Sequence, residues 1–172
     1  MTIKKWLLLS KGEKRVEIAK DVLKAIKDSV YLPLRGRYIN VIKKSSEVSV
    51  QKSLKKKELQ CKVCVIGSCF LSLIKFENKF NVDDISNSLF LIDYEDDENG
   101  SGRERLLKHF SKNQLGLIEN AFEKTTCFTE HLEIKVHTAN KSYSFKNNGE
   151  DDKIVLIRIM KNIILNKGTF KP

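Results

Sequence analysis

Apolar residues first recur at helical spacing at Val16, Ala19, Val22, Leu23 and Ile26, which fall on one stripe. Glu13, Glu17 and Asp21 alternate with Lys20, Lys24 and Lys27 on the outer surface, as i,i+3 and i,i+4 pairs do on a solvated helix face. Ser10 and Glu13 have the S-x-x-E spacing of a capping box, so the helix should start there. Pro33 bars it from continuing. Beyond it the pattern weakens: "RGRYINVIKK" holds a Gly-centred basic turn followed by Tyr38, Ile39, Val41 and Ile42, and fits a short strand or an irregular loop. "SVQKSLKKKEL" has few apolar positions and many lysines, and reads as a short exposed helix leading into Cys61.

From residue 62 to residue 76 nearly every position is apolar or small, which predicts a central helix buried on all sides, with Gly67 and Ser68 allowing a neighbour close. An acidic, Gly-rich surface loop follows at about residues 93–102. A helix over residues 103–110 should lead into "FSKNQLGLIENAFEKT", where Ser111 and Gln114 suggest a capping box and Phe110 and Leu115 a hydrophobic staple. Leu115, Ile118 and Phe122 share the face beyond it. Alternation of Leu132, Ile134 and Val136, with Tyr143 and Phe145 after "TANK", predicts a β-hairpin. "EDDKIVLIRIMKNIILNKG" predicts a second buried helix that ends at Gly168. No internal repeat is present. The expected fold is mainly α (α+β): a single-domain helical bundle over residues 1–172 with two buried helices and a small β-hairpin.

The composition, 41% hydrophobic and 31% charged with 2 prolines and 8 glycines, is that of a folding chain rather than a linker. The longest uncharged run, residues 63–74, is short of the roughly 20 apolar residues of a membrane helix, and the N-terminal segment lacks the apolar length of a signal peptide. A cytoplasmic protein without a membrane partner is expected. Charge changes the picture more. The net charge is +10, yet residues 1–80 carry 19 Lys/Arg against 7 Asp/Glu and the remainder is slightly acidic. That asymmetry points the N-terminal half at nucleic acid, a nucleoprotein or an acidic protein surface. The competing account is ordinary solubility charge.

Candidate chemistry is sparse. Cys61-x-x-Cys64 has the spacing of half a zinc site, and Cys127-x3-His131 is the one available second pair. The apolar run directly after Cys64 favours buried small thiols and no metal. A redox pair would need a strand before the helix, and none is evident. The acidic loop, started at Asp93, puts Glu98 where a calcium loop requires glycine. His109, His131 and His137 are isolated, and no phosphate loop, nucleophile elbow, dinucleotide fingerprint or zinc-protease motif occurs. The expectation is a non-catalytic protein without cofactor. Its candidate binding residues are Arg35, Arg37, Tyr38, Lys43, Lys44, Lys52, Lys55, Lys56, Lys57 and Lys62. Arg can grip phosphate through two hydrogen bonds, Lys adds point charge and Tyr38 could stack on a base.

"CKVCVIGSCFLSLIKFEN", "FSKNQLGLIENAFE" and "IMKNIILNKGTFKP", in that order, resemble segments of small accessory proteins carried by bacterial phages and other mobile elements. The resemblance spans most of the chain and implies context, not a residue-by-residue activity. It implies the cytoplasm of a bacterial host, and a stoichiometric binder of a host protein or ribonucleoprotein complex. The most specific expectation is an inhibitor of an RNA-guided nuclease defence system, of the anti-CRISPR type. The alternative is a direct DNA- or RNA-binding regulator. A zinc-stabilised module or a cryptic enzyme ranks below both.

Overall fold

The computed structural model describes residues 3–36, 38–43, 49–77, 102–123, 133–135, 142–144 and 150–172. Its first helix, α1 (Ile3–Leu7), has no periodicity to announce it. Its role is to bury Trp6, whose ring stacks on Phe76 at 4.6 Å. Such a pair contributes about 1 kcal/mol beyond the area it buries.

Helix α2 (Lys11–Lys27) begins at a complete capping box: the Glu13 amide donates to Ser10 Oγ at 3.3 Å and the Ser10 amide to Glu13 Oε2 at 2.8 Å. Its buried face is Ile18, Ala19, Val22, Ala25 and Ile26, so Ile18 and Ala25 belong to it while Val16 and Leu23 only flank it. The helix stops before Pro33, not because of it. Ser29 turns left-handed at φ 55°, and the Val30 amide returns to the Ala25 carbonyl at 2.9 Å. Pro33 instead ends strand β1 (Tyr31–Pro33), on the edge of its sheet, where a missing N–H is tolerated.

The ambiguous basic segment is a strand, β2 (Ile39–Lys43). Helix α3 (Val50–Lys56) follows. It is less exposed than its lysines suggest, because Val50, Gln51, Ser53 and Leu54 are buried. Strand β3 (Gln60–Val63) then precedes the long apolar helix, so Cys61 and Val63 lie on a strand and the helix itself, α4, runs Val65–Glu77. The sheet order is β1-β3-β2, with β3 parallel to β1 and antiparallel to β2. A bulge between Val41 and Lys43 leaves Ile42 as the extra, half-exposed residue.

Every residue from Val65 to Ile74 is buried, as the unbroken apolarity predicts, and α4 packs against α1, α2 and α3. The expected close approach at Gly67 is severe: a Cβ there would lie 1.8 Å from the Tyr38 carbonyl oxygen. Helices α5 (Gly102–Leu107) and α6 (Lys112–Glu123) also pack on α4. At the start of α6 the Gln114 amide donates to Ser111 Oγ at 3.2 Å. The Gln114 side chain does not complete the expected box; it pairs with both backbone groups of Phe170. Phe110 and Leu115, the two residues of the expected staple, are both buried.

Strands β4 (Glu133–Lys135) and β5 (Ser142–Ser144) form the predicted antiparallel hairpin, and the acidic loop lies outside the described residues apart from Gly102. Helix α7 (Asp152–Leu165) packs on α2 and α6. It buries Val155, Leu156, Ile159, Met160 and Ile163 but exposes Ile154 and Leu165, so it is buried on one face and not all round. It ends at a left-handed Lys167, with Gly168 the next residue donating back to the Ile163 carbonyl. The architecture is mainly helical with a small sheet on α4.

Candidate nucleic-acid interface

The basic candidates separate into two groups. Arg35 is turned into the molecule: its guanidinium pairs with Asp152 at 3.0 Å, donates through Nε to the Phe122 carbonyl at 2.8 Å and through a terminal nitrogen to the Glu150 carbonyl at 3.3 Å. It also lies over the Phe122 ring. Its backbone amide adds a bond to Asp152. Here Arg35 fastens the β1–β2 turn to the ends of α6 and α7. Tyr38 is likewise committed, its hydroxyl donating to Glu119 Oε1 at 2.8 Å. Arg37 and Lys44 lie outside the described residues.

The turn and α6 flank an open pocket of about 220 Å³ lined by Gly36, Tyr38, Cys64, Glu119 and Glu123. Glu123 accepts a hydrogen bond from the Gly36 amide at 2.8 Å. Burial pushes its carboxyl above the ordinary carboxylate value. The Gly36 hydrogen bond opposes that, and the neighbouring Glu119 charge reinforces it.

The lysines behave differently. Lys43, Lys52, Lys55, Lys56, Lys57 and Lys62 are exposed. Lys62 is on the outer side of β3, between the inward Cys61 and Val63, and is paired in register with Asn40 and Leu32. Lys43 stands opposite Gln60, whose side-chain amide donates to the Ser29 carbonyl at 2.8 Å. One residue before Ser29, Asp28 holds Lys57 at 3.1 Å. That exposed pair contributes about 0.5 kcal/mol at most, but it joins the C-terminal ends of α2 and α3.

Where those ends meet α4, a cleft of about 180 Å³ opens. Lys24 and Lys55 line it together with Lys57, Asp28, Lys75, Ala25, Val30, Tyr31 and Leu54. Lys75 is held at its edge by a 2.7 Å ion pair with the half-buried Asp21, and Gln51 donates to the Lys75 carbonyl at 2.8 Å. The Tyr31 hydroxyl, Asp21 Oδ2 and Ser72 Oγ are buried without a hydrogen-bond partner. Burial, and then the charge of Asp21, raise the Tyr31 hydroxyl well above its ordinary value, so it stays a donor.

Lys24, Lys75, Asp28 and Tyr31 were absent from the sequence-level set. Lys24 reads as one more charge on a solvated helix face, and Lys75 is set in the apolar helix. The signal that does exist is positional: α2 and α3 both carry lysines in their last turns, where they also complement the negative helix end.

The thiols serve packing. Cys61, Cys64 and Cys69 are buried and free. Burial pushes Cys61 and Cys69 up to about 12 and Cys64 higher still, the opposite of what a reactive pair needs. A strand does precede this helix, contrary to the sequence reading, but it carries Cys61 into the core. Cys64 occupies the position before α4, and its sulfur accepts from the Gly67 amide at 3.4 Å. Cys127 and His131 lie outside the described residues. Among the described residues no three His, Cys, Asp or Glu side chains gather as a metal site.

His109 is buried, with Nε2 2.9 Å from Glu77 Oε1 and its ring edge-on to Trp6. Burial raises the Glu77 carboxyl, but hydrogen bonds from His109 and Trp6 and the neighbouring charges of His109 and Arg105 together hold the net value below the ordinary one. Among the described residues no helix is long and apolar enough to cross a membrane. Compared with known proteins, the chain matches no family model, no curated protein and no solved structure.

Proposed function

We propose that the chain is a non-catalytic binding protein that engages a nucleic-acid-handling complex through the lysines of α3, β3 and the end of α2. In its most specific form it is an inhibitor of an RNA-guided nuclease, occupying phosphates that the nuclease needs for its guide or target. The observation that supports the reading most is the cleft lined by Lys24, Lys55, Lys57 and Lys75, which gathers positive charge from three separate helices into one place. Ion pairs with Asp28 and Asp21 account for Lys57 and Lys75, but no carboxylate among the described residues accounts for Lys24 and Lys55 beside them, whereas a polyanion would.

Lysine suits this task because its ammonium supplies a point charge to a phosphate backbone without demanding one fixed geometry. The predicted result is a stable complex between the full chain and a guide-loaded nuclease on size-exclusion chromatography. It should weaken when Lys52, Lys55 and Lys57 are changed to Glu. A complex with neither the loaded nuclease nor its guide, at low salt, would remove the reading. Binding to the free guide alone would turn it into that of a direct nucleic-acid-binding regulator.

A further inference from the structure

We propose that the cleft between α2, α3 and α4 is a seat for one phosphate group, with Lys24 and Lys55 as its principal ligands and Tyr31 at its wall. This rests on the reading of the lysine face as a nucleic-acid surface and adds to it a fixed point of registration.

Three observations converge. The first is room: about 180 Å³ is the liquid volume of roughly six water molecules, enough for a tetrahedral oxyanion and part of its hydration. The second is charge that is not consumed locally. Of the four lysines lining the cleft, Lys57 is held by Asp28 and Lys75 by Asp21, while Lys24 and Lys55 have no carboxylate partner among the described residues. Lys57 and Lys75 are thereby positioned, and Lys24 and Lys55 are left to neutralise an incoming anion. Four lysines against Asp28 and Asp21 leave a formal charge of +2, which matches a phosphate monoester dianion or, in part, one diester.

The third observation is a buried hydroxyl at the cleft wall. Tyr31 is 1% exposed and lines the cleft, and its hydroxyl completes no well-formed hydrogen bond although the Asp21 carboxylate and the Ser72 hydroxyl are its neighbours. A hydroxyl so placed can donate to a water that an anion in the cleft carries. Phosphate is the anion assigned because the surrounding lysine face is read as a phosphate-backbone surface, and the lysines that line the cleft bind phosphate as point charges.

The test uses the full chain, inorganic phosphate, and two decanucleotides of one sequence, one with a 5′-phosphate and one with a 5′-hydroxyl. Binding is read by isothermal titration and by the side-chain ammonium NMR signals of lysine. In the wild type, inorganic phosphate should shift the Lys24 and Lys55 signals first. Lys24→Gln combined with Lys55→Gln should weaken phosphate at least tenfold, whereas Lys153→Gln combined with Lys161→Gln, on exposed positions of α7 away from the cleft, should change it less than twofold. Tyr31→Phe, which keeps the ring, should weaken it about threefold. All four substitutions outside Tyr31 are on exposed side chains, so loss of binding there is not loss of fold.

Preference for the 5′-phosphorylated oligonucleotide would identify a terminal phosphate as the source, and equal affinity an internal diester; either supports the seat if the double variant loses it. Equal phosphate affinity in the double variant and the wild type overturns the inference. Salt-dependent oligonucleotide binding with no response to inorganic phosphate also overturns it, and leaves the lysine-face reading standing. Phosphate binding without any oligonucleotide or nuclease binding supports the seat and removes the functional reading instead.

Discussion

Arg35 and Lys55 come from the same basic half of the chain and end in opposite circumstances. Arg35 meets Asp152, the Phe122 carbonyl and the Glu150 carbonyl, and every one of those partners is more than 80 residues away. Lys55 lines a cleft with three other lysines. The same formal charge is thus a fold-closing device in one region and surplus in the other. What separates them is whether the tertiary structure delivers acceptors to the cation. Where it does, the cation's binding capacity is used up. Where it does not, the cation stays available for the external anion proposed above.

The comparison is broken most forcefully at the turn that carries Arg35. Gly67→Ala would force the Tyr38 carbonyl off α4 and should cost about 3 kcal/mol, read as a lower midpoint in urea unfolding. An unchanged midpoint would mean that the turn is not seated on α4 at all. Arg35→Ala leaves Asp152 without its cation and should cost about 2 kcal/mol, while oligonucleotide affinity of the folded fraction stays within twofold. A large loss of affinity without a loss of stability would reverse the two regions' roles.

Lys57→Gly sharpens the contrast from the other side. Lys57 is left-handed at φ 59°, a conformation that costs a residue with a Cβ about 1 kcal/mol and glycine almost nothing. The variant also loses the weak Asp28 pair, so it should gain about 0.5 kcal/mol of stability and lose oligonucleotide affinity. Stability and binding moving in opposite directions is the signature of a cation that the fold does not need.

The smallest effect concerns pH in the Arg35 region. The folded-state pKa of Glu123 is raised, so the folded protein holds its proton longer than the unfolded chain. Stability therefore falls as pH rises from the ordinary carboxylate value, about 4.3, through the raised one. Glu123→Gln should remove that decline, so that the variant gains on the wild type across this window and by a constant amount above it. Parallel stability curves in urea at each pH would contradict the assignment.

What could be read from the sequence depended on how local its cause was. The Ser10–Glu13 box needs only residues three apart, and it forms in full. The unbroken apolarity of residues 65–74 marks a helix that no face can leave exposed, and α4 is buried along that whole stretch. The hairpin's alternation was visible for the same reason. Strands β1 and β3 were missed because three or four residues carry too little period to stand out, and β3 runs straight into an apolar helix. Pro33 looked like a helix stop because its place on a sheet edge depends on a partner strand 28 to 30 residues later. The split between Arg35 and Lys55 was hidden for a stronger reason: it depends on α6 and α7, which are far along the chain. Lys24 could not be joined to Lys55 until α2 and α3 were known to end side by side.

The most direct test of the account is the salt dependence of single-stranded oligonucleotide binding, measured for the wild type and for the Lys24→Gln, Lys55→Gln variant. The logarithm of the binding constant should fall linearly with the logarithm of salt concentration, by about 0.7 per phosphate neutralised. The double variant, which loses the seat for one phosphate, should show a slope shallower by about 0.7. A wild-type affinity that ignores salt would contradict the claim that this lysine face binds phosphate, and a slope unchanged by the loss of both lysines would contradict the seat in the cleft.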